Sequence, residues 1–351
     1  MRIYDRFGVM CALAISAAVG GGTIPRASAQ PRYSVTDLGT LPGYTISRAY
    51  GTNATGQVVG TAEDATGASH AVLWSSDGGI TDLEALPGFA FSEGAALNDS
   101  GLVVGVSSND AGLFHAFIWE SSAGMTDLGT LPGYSNSAAS AINPSGQAAG
   151  SSSNTNDPHA FFWSSDSGFT DLGTLPGLNY AAAAGINDTG QVVSSSWNAS
   201  GSTRSFIWTS DSGITDLGLL PGFTFNEASA INASGQVVGE ASNDTGPTRA
   251  FLWTSDGGMT NLGSVAGFNS SSANALNNLG QVVGTLSNDV VGIPTHAFIW
   301  QSSVMTDLNT LIPGDSGWIL QEATGINDAG QIVGFGVVQG RTRAFRLDPA
   351  R

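Results

Sequence analysis

One stretch recurs seven times, and this constrains the fold more than any other feature of the chain. It is clearest at residues 115–134, HAFIWESSAGMTDLGTLPGY, with its continuation ASAINPSGQAAG at 139–150. The acidic position of the T-D-L triplet holds Asp37, Asp82, Asp127, Asp171, Asp216, Asn261 and Asp307, at steps of 45, 45, 44, 45, 45 and 46 residues. An Asn follows 16 residues later in six copies, at Asn53, Asn98, Asn143, Asn187, Asn232 and Asn277. In the seventh copy Asn327 follows after 20, so four residues are inserted near Trp318. A fixed period of this length marks a repeat architecture.

Each unit reads as four short strands. Strand a is the T-D-L segment (Met125 to Leu131) and strand b the small-residue segment (Ala228 to Asn232). Strand c is Gln-Val-Val-Gly (Gln236 to Glu240), and strand d is His-Ala-Phe-x-Trp (His296 to Trp300). Short β-branched and aromatic runs between Gly, Asn, Asp and Ser clusters indicate β structure. N-x-x-G links b to c, where Asn nucleates the turn with its own side chain and Gly supplies a positive φ. S-D-G-G links d to a, so these two share a sheet. The repeats open on an unpaired a strand (Tyr33 to Leu38) and end on an unpaired d strand (Arg343 to Leu347). Pairing the two closes a ring without a long exposed edge.

The sequence therefore predicts an all-β, seven-bladed β-propeller of about 45-residue four-stranded repeats, closed by its N- and C-terminal strands. Repeats cover about 33–347 of a single domain at 30–351. The competing architecture, an open β-solenoid, has no need of matching half-units. Phe117, Phe161, Phe206, Phe251 and Phe298 are expected to fill the spaces between blades, with the Trp series (Trp74, Trp119, Trp163, Trp208, Trp253, Trp300) beside them. A functional reading would make the Trp residues sugar platforms, but recurrence favours packing.

Residues 1–29 read as a secretory signal peptide. Arg2 and Arg6 are basic, Phe7 to Val19 is apolar, and Ala27-Ser28-Ala29 is a small-residue cleavage site. The apolar run falls short of the roughly 20 residues of a spanning helix. Cleavage would remove Cys11, the only cysteine, so an exported product, secreted or periplasmic, has no disulfide. It would keep 8 Arg against 27 Asp plus Glu, a net charge of −19, with no Lys. Such a surface repels phosphate backbones and anionic lipid, which argues against nucleic-acid binding and membrane insertion. An extracellular protein or glycan is the expected partner, and a monomer the expected state.

One repeat position, the opening of strand d, holds His70, His115, His159, Arg204, Arg249, His296 and Arg343, including every histidine. The structural reading pairs each donor with the strand-a Asp or with a neighbouring blade's carbonyl. The metal reading needs converging ligands, whereas a seven-fold ring sets them one per blade. No catalytic residue is singled out: the mature chain would lack Cys and Lys, and no HExxH, CxxC or phosphate loop is present.

Binding candidates follow the proline-glycine pair, in the loop from a to b. They are the aromatics Tyr44, Phe89, Tyr134, Phe223 and Phe268, with Glu93 and Glu227, and Asp315, Trp318 and Glu322 in the irregular seventh copy. An aromatic beside a carboxylate suits a carbohydrate; the alternative is that the aromatics staple the loop to its blade. No cofactor is required. The Asn/Asp-rich c-to-d loops (Glu63-Asp64, Asn109-Asp110, Asn156-Asp157, Asn243-Asp244, Asn288-Asp289) offer oxygen ligands of the kind calcium takes, though Asx turns account for them equally.

These motifs resemble the extracellular HAF-repeat family of secreted proteins, named for the His-Ala-Phe triplet. The resemblance rests on HAFIW at 115–119 and 296–300, TDLGTLPG at 126–133 and 170–177, and AIN-x-x-GQVVG at 230–239. It covers essentially all of 33–347 and implies export and a propeller-like fold, without a residue-level activity. Copies depart from it at Val72, Ser205, Asn261 and Ala266. The expected function is a secreted, non-catalytic binding or scaffold propeller that recognises glycans or proteins through loops on one face. The alternative is a polysaccharide-acting enzyme, a glycoside hydrolase or lyase. A hydrolase needs two carboxylates about 5–9 Å apart, and Glu93, Glu227 and Glu322 belong to copies two, five and seven, which reads as scattered. A third reading is a purely structural envelope protein.

Overall fold

The computed structural model describes residues 32–154, 157–288 and 294–350. The signal segment at 1–29 and the loop residues Asn156 and Asp289 lie outside the described residues. Seven antiparallel four-stranded sheets form a seven-bladed β-propeller. In blade 1 the order from the axis outwards is Ile46–Thr52, Val58–Glu63, Ser69–Trp74 and Ile80–Asp82. Each blade thus takes strands b, c and d from one copy and strand a from the next. The seventh is completed by the first strand of the fold: Tyr33–Asp37 pairs with Arg341–Pro349, in register from Tyr33↔Pro349 to Asp37↔Phe345.

The inner strands are Ile46–Thr52, Phe91–Leu97, Asn136–Ile142, Tyr180–Ile186, Phe225–Ile231, Ser270–Leu276 and Trp318–Ile326. Each contacts the inner strands of both neighbouring blades, so together they wall the axis. They begin earlier than the sequence suggests: Phe225 pairs with Ser242 and Glu227 with Glu240, two residues that small-residue patterning leaves in a loop. The insertion in the last copy is absorbed by a 3-10 turn, Leu308–Thr310, and by a nine-residue inner strand with two register shifts.

The aromatic series packs as its period requires. Phe117, Phe161, Phe206, Phe251, Phe298 and Phe345 are fully buried between blades, with Val-Val pairs such as Val58-Val59 and Val103-Val104. Trp74 is buried, the five Trp residues after it are partly so, and Leu347 fills the seventh place. Hydroxyls of the small-residue strands hold blade to blade. Ala71 N–H donates to Ser92 Oγ, Ala116 to Ser137, Ala250 to Ser271, and Ala344 to Ser47, at 2.9–3.0 Å.

The N-x-x-G asparagines do more than turn the chain. In blade 1 Asn53 Oδ1 accepts from Thr55 N and Gln57 N, while its Nδ2 donates to Gln57 Oε1 at 2.8 Å and to Asn98 O of the next blade at 3.1 Å. The same bond runs from Asn98 to Asn143, on to Asn187, Asn232, Asn277 and Asn327, and from Asn327 back to Asn53 at 2.9 Å. Seven amides form a closed circuit at one end of the axis, each buried and satisfied.

Candidate binding site

The charged repeat position takes both of its structural options, the strand-a carboxylate in five blades and a backbone carbonyl in two. Nδ1 of His115, His159 and His296 lies 2.7–2.8 Å from Asp127, Asp171 and Asp307. His70 Nδ1 lies 3.0 Å from Asp82, and Arg204 Nη2 lies 2.5 Å from Asp216. Where Asn261 replaces the carboxylate, Arg249 donates to the carbonyls of Thr248 and Asn269. Arg343 donates to Thr45 O of blade 1 at 2.7 Å.

The loop aromatics meet this same position. Tyr44 stacks on His70, Phe89 on His115, Tyr134 on His159 and Phe268 on His296, with ring centroids 4.9–5.7 Å apart. Phe223 packs against the core cluster between blades 4 and 5. Rings engaged in this way fasten each loop to its own blade. Of the candidate c-to-d loops, two close as Asx turns and two brace the a-to-b loop, since Asn243 donates to Gly222 O and Asn288 to Gly267 O. Asp64 Oδ1 accepts from Thr66 N, Thr66 Oγ1 and Ala68 N, which holds its carboxyl below the usual range. Asn109 Oδ1 accepts from Ala111 and Leu113.

The acidic candidates lie elsewhere than sequence reading put them. Glu93 and Glu227 sit within inner strands, not loops, and Glu322 and Trp318 belong to the inner strand of blade 7. Trp318 packs edge-on against Phe345 at 6.0 Å, and Asp315 stays in the loop before it. Ring closure also changes the spacing: blades 7, 1 and 2 are consecutive, so Glu322 and Glu93 flank the inner strand of blade 1, while Glu227 lies in blade 5.

That strand contributes Arg48 and Tyr50, which sequence analysis left outside the candidate set. Arg48 Nη1 donates to Glu63 Oε2 at 2.9 Å, and its guanidinium lies 5.7 Å from the Phe335 ring of blade 7. Tyr50 stands at the bulge where the strand register shifts between Ala49 and Gly51. Burial pushes its phenol up, and the charge of Glu93, Glu322 and Glu63 adds to this while Arg48 opposes it. Burial likewise pushes the Glu93 carboxyl up to about 7; Arg48 lowers it and Glu63 raises it. Glu322 Oε1 accepts from Asn274 Nδ2 at 3.3 Å. One polar group thus spans blades 7, 1 and 2 near the loop-bearing end of the axis. Around the rest of that level the inner strands carry Ala138, Ala182 and Ser272, besides Glu227. A charge-scan of the sequence would find Arg48 as the one cation in the small-residue segments, with Tyr50 two residues on; that Phe335 and Glu322 of blade 7 join them depends on ring closure.

Among the described residues no group of three or more His, Cys, Asp or Glu is disposed to hold a metal ion, and no helix is long and apolar enough to cross a membrane.

No family model and no curated protein matches the sequence. Solved structures match the fold. A streptogramin B lyase superposes with a TM-score of 0.58 at 9% identity, over 91% of this chain and 98% of that one. The β-propeller domain of the Trilobed protease from Pyrococcus furiosus gives 0.55 at 10%, over 88% and 95%. That domain has an open velcro topology, whereas here the terminal strands pair. TolB from Acinetobacter baumannii gives 0.50 at 14% and covers 84% of this chain; the chain spans 64% of TolB's length. Likeness at these identities is one of fold.

Proposed function

We propose that this chain is an exported, non-catalytic binding or scaffold propeller of the HAF-repeat kind. On this reading it recognises a glycan or protein partner with the face that carries the a-to-b and c-to-d loops, at the mouth of the axis formed by blades 7, 1 and 2. One observation carries this reading: of the polar residues that break the seven-fold pattern, Arg48, Tyr50, Glu93 and Glu322 gather in three adjacent blades, with Glu227 apart in blade 5. The repeating polar residues, by contrast, are spent on internal bonds. Fold likeness adds nothing to the choice of partner.

The test is a glycan-array and pull-down screen of the secreted product, wild type against the Arg48→Ala/Glu93→Gln double variant. Retention of a partner by the wild type and its loss in the double variant is the expected result. A clean wild-type screen, or unchanged retention by the double variant, counts against the proposal. Export is tested by N-terminal sequencing of the secreted chain, expected to begin at Gln30.

A second reading, a polysaccharide-acting hydrolase or lyase, draws on Glu93. A carboxyl held near 7 beside other carboxylates is poised as a general acid. Release of reducing ends or unsaturated products from a polysaccharide panel, abolished by Glu93→Gln, would favour it.

A further inference from the structure

Two buried polar oxygens in this region have no hydrogen-bond partner: Glu93 Oε2 and Thr61 Oγ1. Thr61 is only 5% exposed. It pairs directly with Arg48 across the strands of blade 1, so it shares a sheet face with Arg48 and, two residues on, with Glu63. The same face meets blade 2 through Val59: a Cβ on Gly94 would run into Val59 Cγ2, and it would lie 3.2 Å from the Gly60 carbonyl. Thr61 follows Gly60 and Glu93 precedes Gly94, so the two residues lie on adjoining strands at one level of the junction between blades 1 and 2, where the charges of Arg48 and Glu63 act on the Glu93 carboxyl.

The surrounding groups are already committed. Arg48 is held by Glu63 and lies near Phe335, and Glu322 accepts from Asn274. A buried polar atom without a partner is costly, and a carboxylate more so. What would satisfy both oxygens is a group with several donors and no acceptor. Three carboxyls against one guanidinium set the sign of the local field, which attracts a cation and repels an anion.

We propose that Glu93 and Thr61, within the Arg48–Glu63–Glu322 group, form a subsite for a ligand's ammonium group. The inference rests on the binding function proposed above and names the chemistry that its site takes. An ammonium brings three donors and a full charge to two acceptors that lack partners. A hydroxyl reaches the same oxygens but leaves the carboxylate charge uncompensated. The ammonium can come from an amino sugar or from a lysine side chain.

The test is calorimetric titration of the full chain at pH 8 with glucosamine, N-acetylglucosamine and Nα-acetyl-lysine amide, using wild type, Glu93→Gln, Thr61→Val, and Glu120→Gln as a remote control. Wild type and Glu120→Gln should bind at least one ammonium probe about ten- to hundredfold more tightly than N-acetylglucosamine, the range of a charge-assisted hydrogen bond. Glu93→Gln should erase that preference and Thr61→Val should reduce it. Which ammonium probe is preferred separates sugar from protein as the source. Equal binding of glucosamine and N-acetylglucosamine, a preference that survives in Glu93→Gln, or no binding of either ammonium probe overturns the subsite. The wider binding function is judged separately, by the screen with the Arg48→Ala/Glu93→Gln variant. Circular dichroism of each variant confirms that a lost preference is not lost folding.

Discussion

The asparagine of N-x-x-G shows how one side chain serves two levels of structure. Its carbonyl makes the turn, a local matter visible in sequence. Its second amide proton crosses to the next blade and is invisible there, because the acceptor lies some 45 residues away along the chain, 50 in one step and 274 in the step that closes the ring. Asn187→Ala leaves Thr189 N, Gln191 N, Gln191 Oε1 and Asn232 O short of a partner, and should cost roughly 2–4 kcal/mol. Thermal or urea unfolding measures it. The exposed pairs are worth less. Arg204 and Asp216 are 41% and 33% exposed, so a double-mutant cycle on Arg204→Ala and Asp216→Ala should return a coupling under about 1 kcal/mol. Glu93 acts in the opposite sense. Its folded-state carboxyl is raised from 4.5 to about 7, so it carries no penalty below about pH 4.5, destabilises increasingly as pH rises to about 7, and keeps the full penalty above that. Glu93→Gln should therefore stabilise the protein at pH 8, by up to about 3 kcal/mol, and make little difference at pH 4. Paired denaturation curves at the two pH values decide this.

Within a blade, the inner strand carries a bulge, and the register shifts across Tyr50, Ala95, Ser140, Ala184, Ser229, Asn274 or Thr324. The glycine after Val-Val is its complement. A Cβ on Gly105 would run into Glu93 O and come within 3.0 Å of the Phe117 ring. Gly105→Ala should destabilise by roughly 3 kcal/mol or more. Copy four departs from the rule with Ser194, whose buried hydroxyl has no partner; nothing in the structure explains a side chain there. Removing an orphan hydroxyl gains about what glycine's extra chain entropy loses. Ser194→Gly should therefore stay within about 1 kcal/mol of wild type, in contrast to Gly105→Ala, and chemical denaturation of both reads the difference. Element types and turns were legible because a 45-residue period repeats each cue seven times. The early start of the inner strands was not, since Phe225, Asn226 and Glu227 carry no β-branched signal and enter the ladder through backbone pairing with Ser242, Ala241 and Glu240.

Across the ring, closure is made twice. Tyr33–Asp37 completes blade 7, and the amide circuit joins Asn327 to Asn53. Deleting residues 33–37 uncovers the Arg341–Pro349 edge and removes the buried Tyr33. The expected result is a lower melting temperature and concentration-dependent association through the bare edge, read by calorimetry and light scattering. A circular permutant cut in the exposed hairpin at Ser165-Asp166, with the native ends linked, keeps that pairing and should melt near the wild type.

Blade number, strand order, terminal pairing and the buried Phe series all followed from the sequence alone, because each rests on a period and on turn chemistry that act over a few residues. The polar group at the mouth required the folded ring. Arg48, Glu93 and Glu322 are 45 and 229 residues apart in pairwise succession, and nothing local in their segments records that they converge. Only the closing of blade 7 onto blade 1 brings the last copy beside the first and places these charges in one buried, low-dielectric space, where each changes what the others can bind.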